Sequence, residues 1–400
     1  MPSLARRLDR VPVAATIQMT VLARSLRAAG HDVISLTIGE PDFASPPHAI
    51  DAAHAAALRG ETKYAPHDGM PALKEAIRRK FLRDNDLDFA PDQIAVTNGG
   101  KQSIFNAFMA TIDPGDEVLI PAPYWGAYAL MARFAGGEAT FVSCPQNAGF
   151  KLQPEALAAA ITPRTKWLLL NFPNNPTGAA ASADELAAIA EVMRRHPHVW
   201  IMSDDMYEQL VFDGFRFATI AQVAPDLRDR ILTINGVSKT YAMTGWRVGY
   251  AGGPAPLIRA MVNVQGQATS GVAMPAQAAA AAALDGPQEQ VAVQREVYRR
   301  RRDLVVDGLN ACPGIHCHRP EGAFYVFPSV AGCLGRTTAG GRRIDSDEDF
   351  ALALLEEAHV ATVAGPGFGM SPYVRISTAT SDALLTEACR RIRIFCEGLR

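Results

Sequence analysis

The sequence predicts an α/β fold: a large domain built on a mostly parallel sheet flanked by helices, with a smaller α+β domain beside it. Three observations carry this. Short apolar runs alternate with amphipathic helical stretches through the middle of the chain, the pattern that βαβ units around a parallel sheet require. A Gly286-Pro287 break is followed by one long charged helical stretch. The chain has 400 residues, and at about 100–200 residues per domain that is enough for two units.

The apolar runs at 94–97, 117–121, 139–142, 167–171, 200–204, 231–235 and 248–252 read as strands. Helical periodicity falls between them at 101–111, 127–134, 154–161 and 183–196. One open α/β domain therefore covers 48–290. Beyond the Gly286-Pro287 break the helix 288–310 leads out of it, and the tail adds strand-like segments at 323–326 and 373–377 and helices at 347–359 and 382–399. The N-terminal segment, a helix over 16–30 and a short strand over 32–36, is set off by the turn-rich Gly39-Glu40-Pro41-Asp42. It joins the tail, so that 1–47 and 291–400 form the smaller domain. The alanine-rich stretch 273–284 is broken by Pro275 and Gln277, is too short to span a bilayer, and reads as a packed helix. Residues 332–343, rich in glycine and basic residues, read as a solvated loop.

Composition narrows the function. Hydrophobic residues make up 48% and charged residues 20% of the chain, which is ordinary for a globular protein and far from the signature of disorder. A net charge of -2 gives no electrostatic reason to expect nucleic acid or an anionic membrane as partner, so a small molecule is the expected ligand. The six cysteines are scattered without a disulfide-framework spacing, which points to a reducing, cytoplasmic setting. Cys312, His316, Cys317 and His318 have a passing look of metal ligands. They lack the C-x2-4-C spacing of zinc sites and sit beside Pro313 and Gly314 in a turn, so no metal is expected. Residues 1–10 contain no apolar core and no small-residue cleavage pattern, which argues against a secretion signal.

The chemistry concentrates in 235–250, NGVSKTYAMTGWRVGY. Lys239 follows a predicted strand, at the carboxyl edge where open α/β sheets hold their ligands. Alone it would be a solvated loop residue. With Arg247 eight residues on and Gly236, Ser238, Ala242 and Gly245 around them, a cation and a hydroxyl can grip a phosphate while the amine attacks an aldehyde. Asp204 closes another predicted strand, where it could equally be a helix cap. Asn98-Gly99-Gly100-Lys101 lies between a strand and a helix, so its backbone N–H groups can face an anion. It is not a P-loop, because Gln102 follows the lysine and no G-x-x-x-x-G-K-[ST] pattern is present.

The 235–250 segment resembles, at every defined position, the lysine-attachment signature of class I and II aminotransferases, and further segments follow in that family's order along essentially the whole chain. The resemblance implies pyridoxal 5'-phosphate as cofactor, the type I fold of pyridoxal-phosphate transferases, and Lys239 as attachment lysine and general base. It implies that Asp204 pairs with the pyridine nitrogen, and that Asn175 and Tyr207 donate to the cofactor's 3'-oxygen. Gly99, Gly100, Lys101, Ser238 and Arg247 take the phosphate side. Trp125 stacks on the ring, with a plain core aromatic as the alternative, and Asn174-Asn175-Pro176 is in any case also a turn. Arg375 would clamp the substrate α-carboxylate with its planar fork, and Gly39 would let the backbone approach the substrate. Tyr64 resembles a tyrosine that reaches the neighbouring subunit's phosphate, which implies a homodimer.

Within the family the likeness is to bacterial aspartate and aspartate/prephenate aminotransferases, in which the residue at Lys101 meets a side-chain carboxylate. A phosphate or structural role for Lys101 stays open. The implied reaction moves the amino group of an amino acid, aspartate or another acidic one, to a 2-oxo acid by a ping-pong route. Arginine with pyruvate, aromatic amino acids and prephenate/arogenate are the alternatives. The sequence departs from the pattern at Pro12-Val13-Ala14, where a basic residue, proline and serine are usual, and at Thr378, where tyrosine is common. A lyase on the same scaffold, or a regulator that keeps the fold without catalysis, are the rival readings.

Overall fold

The computed structural model describes residues 5–11 and 15–400. Its centre is a seven-stranded sheet in the order Ile94–Thr97, Gly249–Gly252, Ile231–Gly236, Trp200–Asp204, Thr165–Asn171, Glu117–Ala122, Glu138–Ser143. Gly249–Gly252 runs antiparallel to both its neighbours; the other six strands are parallel. All seven lie at or within two residues of the runs predicted from sequence.

Both faces of the inner part of this sheet are covered, so its inner strands are largely apolar rather than alternating with polar residues, while the edge strand Glu138–Ser143 is partly exposed. Ile94, Val96, Leu168, Leu170 and Ile201 pack into one apolar cluster, and Ala95, Trp167, Leu169 and Met202 pack into another on the opposite face. The flanking helices begin where local chemistry favours it. Ala183–Arg194 starts at a capping box, with Ser182 accepting from the Glu185 N–H and Glu185 accepting from the Ser182 N–H. Pro47–Leu58, Pro71–Asn85 and Pro154–Ala160 each open on a proline, whose missing N–H is no loss in the first turn.

The smaller part is built from both ends of the chain. Ile34–Ser35 pairs in parallel with Val360–Ala361, and Val374–Ser377 pairs antiparallel with Val363–Ala364 and with Tyr325–Val326. Ile34 and Leu36 share an apolar cluster with Val305, Leu309, Phe350, Ile376 and Ile392. The helix Glu289–Asn310 runs along this cluster and packs against Asp382–Glu397.

The structure adds helices that the sequence reading left unassigned, at Pro47–Leu58, Pro71–Asn85 and Ala255–Ala268. Pro71–Asn85 is densely charged, yet Leu73, Ala76, Ile77 and Phe81 recur at helical spacing and are buried. The segment 332–343 is more than a solvated loop. Cys333 and Thr338 are buried, Thr337 bridges to Arg343, and the Thr337 and Arg400 backbones exchange hydrogen bonds. Among the described residues no helix is long and apolar enough to cross a membrane. Nor do three or more His, Cys, Asp or Glu side chains group so as to hold a metal ion.

The antiparallel strand fits where it does because it begins with glycine. Gly249 faces Thr97 on one side and Gly236 on the other, and a Cβ there would lie 2.3 Å from the Gly100 nitrogen and 2.4 Å from the Gly99 carbonyl carbon. Both contacts are backbone and cannot swing aside. Gly249→Ala is therefore expected to lower stability by about 1–3 kcal/mol, read as a fall in the thermal midpoint. Gly245→Ala, whose added methyl meets nothing within 4 Å, should leave the midpoint where it is.

Candidate active site

The loops at the carboxyl ends of the parallel strands converge on a cavity of about 650 Å³, where open α/β sheets bind ligands. Strand register sets the convergence. Asn171 pairs with Asp204, Asp204 with Ile234, and Gly249 with both Gly236 and Thr97, so the residues after the parallel strands and those before Gly249 meet at one edge of the sheet. The smaller part closes the opposite wall with Thr37 to Glu40, Tyr325, Arg375 and one face of the helix Ala15–Ala28.

Eleven residues singled out from sequence line this cavity: Gly39, Gly100, Lys101, Trp125, Asn175, Asp204, Tyr207, Ser238, Lys239, Arg247 and Arg375. Gly99 stands just behind, at the start of the helix Gly100–Thr111. Its φ of +84° suits glycine, and a Cβ would lie 2.4 Å from an Arg247 guanidinium nitrogen. Tyr64 is elsewhere: it is 95% exposed and takes no part in the lining of its own chain's cavity. Thr378 is buried outside the lining, and the departure at Pro12-Val13-Ala14 lies outside the described residues.

Asp204 is 5% exposed. Its Oδ2 accepts from the Tyr128 hydroxyl at 2.6 Å and its Oδ1 from the Met206 N–H at 3.3 Å. Burial pushes its carboxyl up to about 6, against the pull of those two bonds and of the Lys239 charge. Lys239 donates from Nζ to the Gly39 carbonyl at 2.6 Å. Burial pushes its ammonium down to about 8; Glu40 opposes the fall, and Arg375 and Arg247 add to it. A lysine in that range readily gives up its proton and becomes nucleophilic.

Arg375 is 3% exposed, and among the described residues no carboxylate pairs with it. Its two terminal nitrogens donate to Asn175 Oδ1 at 3.0 Å and the Thr37 carbonyl at 2.5 Å, its Nε has no partner, and the Tyr325 and Phe368 rings lie 4.8 and 4.9 Å from the guanidinium carbon. A buried cation held only by neutral groups is costly to keep, and it sits ready for an anion. The Tyr207 and Tyr325 hydroxyls meet at 2.9 Å. Arg247 reaches the start of the helix Gly100–Thr111 through a backbone φ of +55° and donates to the Thr244 and Asn98 carbonyls. Lys101 Nζ lies 4.8 Å over the Trp125 ring. Partial burial and the Arg247 charge lower its proton affinity.

Comparison with known proteins places these features in a family. Residues 31–392 match the family described as aminotransferase class I and II. The chain belongs to that family. It is 57% identical over 399 residues to the aspartate/prephenate aminotransferase of Cereibacter sphaeroides, with 100% of each covered. It is 53% identical over 395 residues to the aspartate aminotransferase of Rhizobium meliloti, covering 99% of this chain and 96% of that one. Among solved structures, the aspartate aminotransferase from Rhizobium meliloti superposes with a TM-score of 0.98 at 52% identity over 100% of both chains. That from Thermus thermophilus with maleate gives 0.92 at 42% identity, covering 99% of this chain and 100% of that one.

This aminotransferase uses pyridoxal 5'-phosphate, as its class does, and the cavity fits the group. An aldehyde needs an amine that can lose its proton, and Lys239 is one. A pyridinium nitrogen needs a buried carboxylate, and Asp204 is one. A phosphate needs convergent donors, which the first N–H groups of the helix Gly100–Thr111, Ser238 and Arg247 can supply.

Tyr128, Tyr325 and Glu40 were missed in the sequence, as was the apolar wall of Ile17, Val21 and Ile38 with Arg24 beyond it. Tyr128 follows Trp125 by three residues, so one helix start delivers both to the cavity, and that spacing was legible. Tyr325 meets its partner across 118 residues of chain, for which no local pattern exists.

Asp204 costs the cofactor-free aminotransferase stability. Its folded value of about 6 stands above the ordinary carboxyl value of 3.8, so the folded state binds the extra proton between these values. Stability therefore falls as pH rises through that window, and the penalty is complete above about 6. Asp204→Asn is expected to stabilise the cofactor-free enzyme at pH 7 by about 2–3 kcal/mol at most. The gain should shrink as pH falls from 6 toward 4, checked by thermal denaturation across that range.

Proposed function

We propose that the chain transfers the amino group of an acidic amino acid, aspartate foremost, to a 2-oxo acid, with Lys239 as attachment lysine and proton carrier. The observation that carries the transfer is Arg375, a buried guanidinium without a carboxylate partner among the described residues, in the same cavity as Lys239, and the preference for an acidic substrate rests on Lys101 in that cavity. Bound there, pyridoxal 5'-phosphate supplies an aldehyde that takes up amino groups and a ring that takes up electrons from the substrate Cα.

The residues divide the remaining work. Arg375 binds the α-carboxylate by its fork, and Asn175, whose Oδ1 accepts from Arg375, keeps that fork in plane and has its amide N–H to give. Lys239, as a neutral amine, takes the Cα proton on Nζ and later returns one. Asp204, kept in place by Tyr128, would hold the proton at the ring nitrogen of the bound cofactor. Tyr207 and Asn175 would offer donors to the ring's oxygen, and Trp125 would cover its face. Gly99, Gly100, Ser238 and Arg247 hold the phosphate. The residues Ile17, Val21 and Ile38 line the mouth with apolar surface that helps exclude water.

Lys101 supports an acidic substrate, since among the described residues no carboxylate neutralises it. The related Thermus enzyme is known with maleate, itself a dicarboxylate. A second reading, prephenate or an aromatic partner, is favoured by the apolar wall of Ile17, Val21 and Ile38, which a bare four-carbon acid would leave unused. We take 48–290 as the cofactor-binding unit and 1–47 with 291–400 as the smaller one. We take the enzyme to be a cytoplasmic homodimer, with the exposed Tyr64 reaching the partner subunit's phosphate site.

Lys239→Ala should abolish turnover and remove the visible absorbance of the holoenzyme; normal activity in that variant would refute the assignment. Lys101→Ala should raise KM for aspartate and glutamate by about tenfold or more, the scale of one lost charged hydrogen bond. Neutral amino acids should be affected much less. Equal losses for both classes, in steady-state assays against 2-oxoglutarate and pyruvate, would remove Lys101 from substrate choice.

A further inference from the structure

The turn that follows the strand Trp200–Asp204 has two faces. Asp204 and Tyr207 line the cavity, while Asp205 and Glu208 do not. Glu208 is ion-paired with Lys80 of the helix Pro71–Asn85, and the two side chains are 2% and 3% exposed. Asn85 completes the group. Its Nδ2 donates to Glu208 Oε2 at 2.8 Å, and its Oδ1 accepts from Lys80 Nζ at 2.7 Å. Three buried polar side chains thus form a closed ring of bonds behind the turn, and none of them lines the cavity.

Stability alone does not account for such a group. Taking two charges out of water costs about as much as their attraction returns, and well-packed apolar residues often do as well or better. What a buried charged pair with directional hydrogen bonds does supply is a single geometry. The turn needs one. Its backbone is tied to the neighbouring strand by the Asp205 N–H to Ile234 carbonyl bond, and to itself by the Glu208 N–H to Asp205 and Leu210 N–H to Tyr207 bonds. The Asp205 side chain is held locally by Ser203, and its second oxygen has no partner. Glu208 ties the turn to a separate helix, joined by its neighbour Gln209, whose Nε2 donates to Asp84 Oδ2 of that helix at 3.4 Å.

We infer that Lys80, Glu208 and Asn85 are positioning residues: they hold the turn from behind, so that Asp204 and Tyr207 meet the cofactor ring in one fixed attitude. The inference rests on the reading of Asp204 and Tyr207 given under Proposed function. It concerns residues that touch neither cofactor nor substrate.

The test uses holoenzyme carrying Lys80→Met and Glu208→Leu together, which removes both charges and keeps the volume apolar. Near-UV circular dichroism establishes that it is folded. The expected result is a shift of about half a pH unit or more in the midpoint of the visible absorbance titration. Alongside it, cofactor release should be about tenfold faster and kcat about tenfold lower, with a smaller change in KM. Lys80→Arg, which keeps the charge, should recover most of what Lys80→Met alone loses. If the double variant does not fold, Glu208→Gln gives the same readouts with one charge removed. A folded variant whose midpoint, release rate and kcat match the parent overturns the inference. Asp204→Ala, measured in parallel, separates the two claims. If it moves the midpoint and the folded pair variant does not, the positioning role alone falls. If Asp204→Ala leaves the midpoint unmoved, the reading of Asp204 falls and takes the positioning role with it.

Discussion

A carboxylate buried at the end of the central strand is the constraint around which the cavity is arranged. Asp204 cannot reach water, so its environment must supply what water would have given: a tyrosine hydroxyl, a backbone N–H and a lysine within Coulomb range. Each comes from a different part of the chain. Tyr128 arrives on the helix Ala127–Phe134, Met206 on the turn after the strand, and Lys239 on the loop after the next strand. The parallel sheet makes this possible, because strands of matched register release their loops at the same edge.

The charges in the cavity then follow. Among the described residues, Arg24, Lys101, Lys239, Arg247 and Arg375 line the cavity with Glu40 and Asp204 as its acidic residues, an excess of cations that suits a ligand set carrying a phosphate and one or two carboxylates. The cations do not collapse onto acidic partners. Arg375 and Arg247 are held by carbonyl and amide oxygens, and Lys101 lies over an aromatic face. Neutral partners keep a cation oriented without quenching it, which is the condition for binding an incoming anion strongly. The backbone bears part of the cost: Ala242 and Arg247 both take left-handed conformations within the loop that carries Lys239.

Much of this was legible in the sequence, for identifiable reasons. Strands buried on both faces are short apolar runs between turn residues, so the inner strands stood out, and the partly exposed edge strand Glu138–Ser143 was found from its apolar stretch Ala139 to Val142. The lysine loop stood out because small residues, a hydroxyl and a cation are compressed into sixteen positions, 235–250. The helix Pro71–Asn85 was harder, since seven charged side chains in fifteen residues mask a narrow apolar stripe. Tyr325 and Glu208 were out of reach: each takes its meaning from a partner more than a hundred residues away. Tyr64 marks another limit. Its side chain lies in solvent in a single chain, and only an assembly can give such a residue a partner.

The fold also explains why the cofactor-free protein carries unfavourable features that ordinary packing would remove. Asp204 is held above its normal proton affinity and Lys239 below its own, while Arg375 is buried with one nitrogen unsatisfied. All three lie on one cavity wall or another, and their neighbours relieve them only in part. These costs are tolerable because the clusters on the two faces of the sheet are large, and the one holding Ile94 and Leu168 contributes no residue to the cavity lining. The groups therefore stay poised, and a ligand that brings an aldehyde, a basic ring nitrogen and anionic ends relieves them together. The binding energy of such a ligand is partly energy already stored in these three groups, which makes the match between ligand and cavity a property of the whole sheet edge rather than of any single contact.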